Sequence, residues 1–165
     1  MTTPTPPIRL LMVCMGNICR SPTAEGMVRS KLAQRDASLL QIEVDSAGTH
    51  AYHVDHPPDS RAEDAALNRG IIIGGQKARK VTTQDFHDFD LILAMDQANL
   101  TALQDIAPAD AKARVEKIMG YSNLGITDDV PDPYYGGLHG FEQVLDLLDN
   151  AVDGLLDSLE SAPDA

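Results

Sequence analysis

Hydrophobic positions along the chain fall into short blocks of two kinds. Residues 8–14, IRLLMVC, form a nearly unbroken apolar run, the pattern of a strand buried on both faces of a sheet. Residues 21–35, SPTAEGMVRSKLAQR, instead bring Ala24, Met27, Val28 and the Lys31-Leu32 pair round at helical spacing, with Ser21 as cap and Pro22 in the first turn. The alternation continues. IEVDSAG at 42–48 predicts a second strand ended by small residues. DSRAEDAALNRG at 59–70 predicts a helix closed by Gly70, TQDFHDF a short helical turn, and LILAMD at 91–96 a third buried strand. QANLTALQDIA predicts a helix stopped at Pro108, and VEKIMG at 115–120 a fourth strand. A long amphipathic helix over 141–160 turns Val144, Leu147, Leu148, Val152, Leu155 and Leu159 inward, and Gly154 weakens it without ending the pattern.

Strands alternating with helices imply an α/β fold: a three-layer αβα sandwich whose central four-stranded parallel sheet carries helices on both faces. Ligands of such sheets bind beyond the carboxyl ends of the strands, which puts Cys14 and the residues after it at the expected site. No repeat, linker or low-complexity block divides the chain. Residues 1–165 are therefore read as one domain, with 1–7 and 161–165 as flexible tails.

Charge and composition narrow the function. Thirteen basic against 25 acidic residues give a net charge of -12, which disfavours nucleic acid as a partner. Many of the acids fall on the C-terminal helix pattern, where a solvated surface is the ordinary reading. No apolar run is long enough to span a bilayer, and MTTPTPPIR lacks the apolar middle of a signal peptide, so a soluble cytoplasmic protein without membrane attachment is expected. Its two cysteines, Cys14 and Cys19, cannot build a disulfide scaffold or a four-cysteine zinc site, which leaves buried thiols or chemistry.

The chemistry gathers in MGNICR, between Cys14 and the helix. A loop wrapped ahead of a helix N-terminus can aim successive backbone N–H groups at one anion, and the helix dipole adds a positive end. Gly16 permits conformations barred to other residues, and Asn17 tolerates a left-handed turn. Arg20 offers a planar fork that fits two phosphate oxygens. The same positive field favours a thiolate at Cys14, an activated nucleophile beneath a bound phosphoryl group. Each residue alone has a blander reading, as a buried thiol, a turn or a solvated arginine. Their combination between a strand and a helix favours chemistry.

VCMGNICRSPTAEG resembles the phosphate-binding loop of the low-molecular-weight protein tyrosine phosphatases, V-C-x-G-N-x-C-R-S-P-x-A-E. The resemblance extends to SAGTHAYHVDHPPDSRA, FDLILAMDQANL and DPYYGG, in the family's order over nearly the whole chain. It implies that Cys14 is the nucleophile that becomes a phosphocysteine and that Arg20 binds the phosphoryl oxygens. Met15, Gly16, Asn17, Ile18 and Cys19 would complete the loop, with the Ser21 hydroxyl on the thiolate. Asn17 would hold the strained turn with Ser46 in support, and Gln76 stands where eukaryotic members carry a histidine. In DPYYGG, Asp132 between two prolines would be general acid, then general base. Tyr134 and Tyr135 would border the cleft and could themselves be phosphorylated. Tyr52, where many members carry tryptophan, and Ile18 would complete the substrate wall.

The resemblance also implies a tyrosine-phosphorylated protein, such as a tyrosine kinase, as partner; no cofactor is expected, and a monomer is the default. His50, His53 and His56 match no standard zinc spacing and are expected on a surface loop, so no metal is expected. Cys19 has two readings: a packing residue, or a thiol that captures oxidised Cys14. Three other functions share the fold or loop. Arsenate reductases use further cysteines, which this chain lacks. Protein arginine phosphatases carry a threonine where Ile18 stands. A non-catalytic phosphotyrosine-binding module should lack one of Cys14, Arg20 and Asp132, and all three are present.

Overall fold

Strands β1 (Ile8–Cys14), β2 (Ile42–Gly48), β3 (Leu91–Ala94) and β4 (Arg114–Lys117) form one parallel sheet in the order β2-β1-β3-β4. The computed structural model describes residues 6–35 and 41–161, so most of both expected tails lies outside the described residues. The helices are α1 (Arg20–Gln34), α2 (Ser60–Leu67), α3 (Asp85–Asp88), α4 (Gln97–Ile106) and α5 (Leu138–Ser161). Alternate residues of β1 serve opposite faces. Leu10 and Met12 join a core with α1, α2 and α5, while Leu11 and Val13 join one with Phe86 of α3 and Leu103 of α4. Two covered faces explain why the first strand is apolar throughout.

β1 is central, and its neighbours β2 and β3 are reached by connections on either side. That reversal opens a crevice at the carboxyl end of β1, where Cys14 stands. No helix among the described residues is long and apolar enough to cross a membrane.

Several element ends differ from the sequence expectation, each for a local reason. Helix α1 starts at Arg20 with Cys19 in the cap position and no side-chain cap bond, so Ser21 is not the cap. Its hydroxyl turns back to the Cys14 sulfur instead, at 3.0 Å. β3 stops at Ala94 because Asp96 caps α4, accepting the Asn99 N–H at 2.8 Å. β4 stops at Lys117, where Ile118–Tyr121 coil into a 3-10 turn that buries Ile118 and Met119. α2 begins after Asp59, which accepts the Arg61 N–H, and ends before a turn at Gly70 with φ 78°. α5 extends to both sides of its expected range, so Ser161 is helix rather than tail.

The acidic face of α5 is not only solvated. Lys31 of α1 pairs with Asp149 and Asp153, and Arg35 with Asp153, Asp157 and Glu160. Such exposed pairs are each worth at most about 1 kcal/mol, so the helix is held mainly by its buried Val144, Leu148, Val152 and Leu155. Leu159, expected inward, is only partly buried.

Gly154 has a packing reason that the helical pattern does not reveal. A methyl group there would run into the Tyr121 carbonyl oxygen, a backbone atom that cannot swing aside. Alanine would gain about 1 kcal/mol in helix propensity but forces α5 off the 3-10 turn, at a cost of roughly 1–3 kcal/mol. Gly154→Ala should therefore lower the urea midpoint. An unchanged or higher midpoint would show that α5 and the turn separate freely.

Candidate active site

Residues 15–19 curl between the end of β1 and the start of α1, and Asn17 is the pin that fixes the curl. Its φ is 57°, in the left-handed region, and its N–H points at the Cys14 sulfur at 3.3 Å. Its side-chain amide donates to Ser21 Oγ at 2.8 Å and Ser46 Oγ at 2.9 Å, and its carbonyl accepts the Arg79 N–H at 2.9 Å. Because Asn17 donates to Ser21 Oγ, the serine hydroxyl proton is left for the Cys14 sulfur at 3.0 Å or the Ala47 carbonyl at 3.5 Å. Ser46 in turn donates to Gln76 Oε1 at 3.3 Å, and Gln76 Nε2 to the Pro22 carbonyl at 2.9 Å. Gln76 thus joins the network by an amide in place of an imidazole.

The loop also leans on the end of β2. The Thr49 N–H donates to the Cys14 carbonyl and the His50 N–H to that of Met15. Gly48 is required there, since a Cβ would lie 2.7 Å from the Met15 oxygen. The first turn of α1 then presents N–H groups without intrahelical acceptors beside the sulfur, the arrangement that receives an oxyanion. Pro22, in that turn, gives up no helical hydrogen bond.

Arg20 is 3% exposed. Its Nη1 donates to Asp96 Oδ2 at 2.6 Å and to the Val130 carbonyl at 3.0 Å, and Nη2 stands 3.8 Å from Asp132 Oδ2. Burial disfavours the charged guanidinium, but the Cys14 sulfur and the Asp96 and Asp132 carboxylates outweigh it and hold the pKa above its ordinary value. Asp96 was not singled out in the sequence. An acid closing a parallel strand just before a helix pattern was the available signal.

One cleft gathers the remaining predicted residues. Cys14, Cys19 and Arg20 lie at its floor, Ile18, Tyr52, Tyr134 and Tyr135 line it, and Asp132 joins them from the loop before α5. Tyr135 is 91% exposed and forms a lip, whereas Ile18 is buried. Asp132 Oδ1 accepts the Tyr134 N–H at 3.0 Å, which ties the acid to the wall. Arg61 braces that wall, donating to the Tyr134 carbonyl at 3.0 Å while Asp59 holds its guanidinium. The histidine loop lies at the surface, with His50 and His56 exposed, but it also reaches the site. His53 lines the cleft, its ring centroid 6.2 Å from that of Tyr134, and Met15 adds an apolar contact. Met15 was expected in the loop, whereas sequence reading missed His53 and Arg61 as site residues because only the fold turns them toward the cleft. Among the described residues no three His, Cys, Asp or Glu side chains assemble into a metal-holding group. Both cysteines are free and buried; burial first, then Asp59 and Cys14, pushes the Cys19 thiol up, so it stays protonated at neutral pH.

Fold and site together define an α/β protein with a thiol at the foot of an oxyanion-binding loop. The chain belongs to the low molecular weight phosphotyrosine protein phosphatase family, whose model matches residues 9–164. A putative low molecular weight protein-tyrosine-phosphatase of Synechocystis is 44% identical over 92% of this chain and 96% of its own length. Among solved structures, a protein tyrosine phosphatase from Entamoeba histolytica superposes with a TM-score of 0.88 at 38% identity, covering 93% of this chain and 97% of that one. The Drosophila arginine phosphatase also superposes with a TM-score of 0.88, at 28% identity over 94% of this chain and all of that one.

The Arg20–Asp96 pair gives a direct test of how the floor is held. Asp96→Asn keeps an acceptor for the cap but removes a negative charge from the buried guanidinium, and should cost about 1–3 kcal/mol in urea denaturation. Asp96→Ala also loses the cap and should cost roughly 0.5–2 kcal/mol more. Wild-type stability in Asp96→Asn would show that Arg20 does not depend on this carboxylate.

Proposed function

We propose that this chain, as one catalytic domain, hydrolyses phosphotyrosine in proteins through a phosphocysteine intermediate on Cys14. The observation that carries the reading is the Cys14 sulfur, bonded by the Ser21 hydroxyl at 3.0 Å, in a cleft it shares with the buried Arg20 fork and three tyrosines. A tyrosyl phosphate would seat its phosphoryl oxygens on the loop N–H groups and on Arg20, with its ring between Ile18, Tyr52 and Tyr134. The Cys14 thiolate attacks phosphorus, the bond to the phenolic oxygen breaks, and Asp132 gives its proton to the departing phenolate. A water then attacks the phosphocysteine, Asp132 takes its proton, and inorganic phosphate leaves with the thiolate restored. Donors already aimed at the phosphoryl oxygens need no reorganisation as charge moves onto them.

The partner is read as a tyrosine-phosphorylated protein, with a tyrosine kinase among the candidates, met in the cytoplasm by a monomer. The likeness to the Drosophila arginine phosphatase supports a second reading, hydrolysis of phosphoarginine. Ile18 argues for the first, because an apolar side chain in the cleft suits an aromatic ring better than a guanidinium.

Removing a general acid commonly costs about 10²- to 10⁴-fold, and Asp132→Asn should lose more on alkylphenyl phosphates than on nitrophenyl phosphate. Equal losses along a leaving-group series would remove Asp132 from proton transfer. With wild-type protein, phosphotyrosyl peptides should far outpace phosphoseryl and phosphoarginyl ones. Faster phosphoarginine turnover would install the second reading.

Cys19 is read as the thiol that rescues oxidised Cys14. A Cys14 sulfenic acid condenses with the Cys19 thiol, forming a disulfide and releasing water, before further oxidation can follow. Peroxide should inactivate wild type in a form that dithiothreitol restores, and Cys19→Ser should recover poorly. Full recovery of that variant would leave Cys19 as packing alone.

A further inference from the structure

Eleven of the chain's thirteen lysine and arginine side chains stand within ion-pairing distance of a carboxylate among the described residues. The two that do not are Lys77 and Lys80, both exposed. In a chain of net charge -12, cations left without a partner are the unusual ones. Their placement is specific. Residues 76–81 run beside the loop that forms one wall of the cleft: the Asp55 N–H donates to the Ala78 carbonyl at 2.8 Å, and the Ala78 N–H to that of His56 at 2.9 Å. Lys80 bridges to Gly48, where the Gly48 N–H meets the Arg79 carbonyl and the Val81 N–H meets that of Gly48. Lys77 and Lys80 therefore bracket the base of the loop that carries His50, Tyr52 and His53.

The arginine between them does not add to this free charge, since Arg79 is bound to Asp45 and Asp85. Of the loop's two acids Asp59 is held by Arg61, which leaves Asp55, so two free lysines outweigh one uncommitted carboxylate even with the histidines neutral. The imidazoles add polar ring nitrogens to the loop, with His50 stacked on Tyr52 and Nδ1 paired to Thr49 Oγ1. Neither lysine lines the cleft itself, and Asp132 reaches it from another element, the segment before α5.

We propose that Lys77 and Lys80, with the histidine-bearing loop they bracket, form a subsite for acidic side chains that flank phosphotyrosine in the substrate. The proposal rests on the phosphatase reading, which fixes the phosphotyrosine over Cys14 and spreads its neighbours across the walls. Long, flexible lysines can follow a carboxylate on either side of the substrate chain. Exposed pairs are weak and screened, so the subsite tunes capture of the substrate and not the chemical step.

The test uses two phosphotyrosyl peptides that differ only by glutamate or glutamine around the phosphotyrosine. At low salt, wild type should show a kcat/KM about three- to tenfold higher for the glutamate peptide, expressed in KM. Lys77→Gln/Lys80→Gln should erase most of that ratio while hydrolysing nitrophenyl phosphate as wild type does. Lys77→Glu/Lys80→Glu should reverse the preference. A ratio unchanged by the double substitution, with nitrophenyl phosphate turnover intact, overturns the subsite alone. Absence of nitrophenyl phosphate turnover in wild type overturns the phosphatase reading and the subsite with it.

Discussion

A guanidinium buried at the floor of an open cleft must be neutralised before any substrate arrives, and much of this structure answers that demand. Arg20 is almost wholly screened from bulk water, and a lone buried cation would cost several kcal/mol. Asp96 and the Val130 carbonyl take one end of the fork, while Asp132 stands off the other at 3.8 Å. The longer separation leaves Nη2 open to an incoming phosphoryl group. Asp96, which closes the β3 connection and caps α4, therefore couples the helix on one face of the sheet to the loop on the other side of β3.

Loop shape follows from a second constraint, the left-handed backbone at Asn17. A residue held at φ 57° needs compensation, and its side chain supplies three hydrogen bonds that reach α1, β2 and the segment at Arg79. These bonds tie the loop to the carboxyl end of the sheet. The same amide donates to the Ser21 hydroxyl that touches the Cys14 sulfur, so the residue that sets the curve also holds the polar group beside the sulfur.

Much of this was legible in the sequence because local rules and tertiary demands agree. The unbroken run at 8–14 marks a central strand, and a cysteine, glycine, asparagine and arginine crowded before a helix mark an anion loop. Agreement failed where tertiary geometry decides. Ser21 looks like a cap, yet its hydroxyl serves Cys14, a use no spacing rule reveals. VEKIMG reads as one strand, but its second half coils into a 3-10 turn that buries Ile118 and Met119. His53 and Arg61 became site residues only when loops distant in sequence met around one cleft.

The account stands or falls on whether the phosphoryl group passes through sulfur. Rapid acid quench of Asp132→Asn during turnover of an activated aryl phosphate, followed by peptide mass spectrometry, measures this directly, because the slowed second step lets any intermediate accumulate. The account predicts one phosphoryl group on the peptide containing Cys14, absent when Cys14 is serine. Turnover without a covalent adduct, or a phosphoryl group carried by another residue, would contradict it.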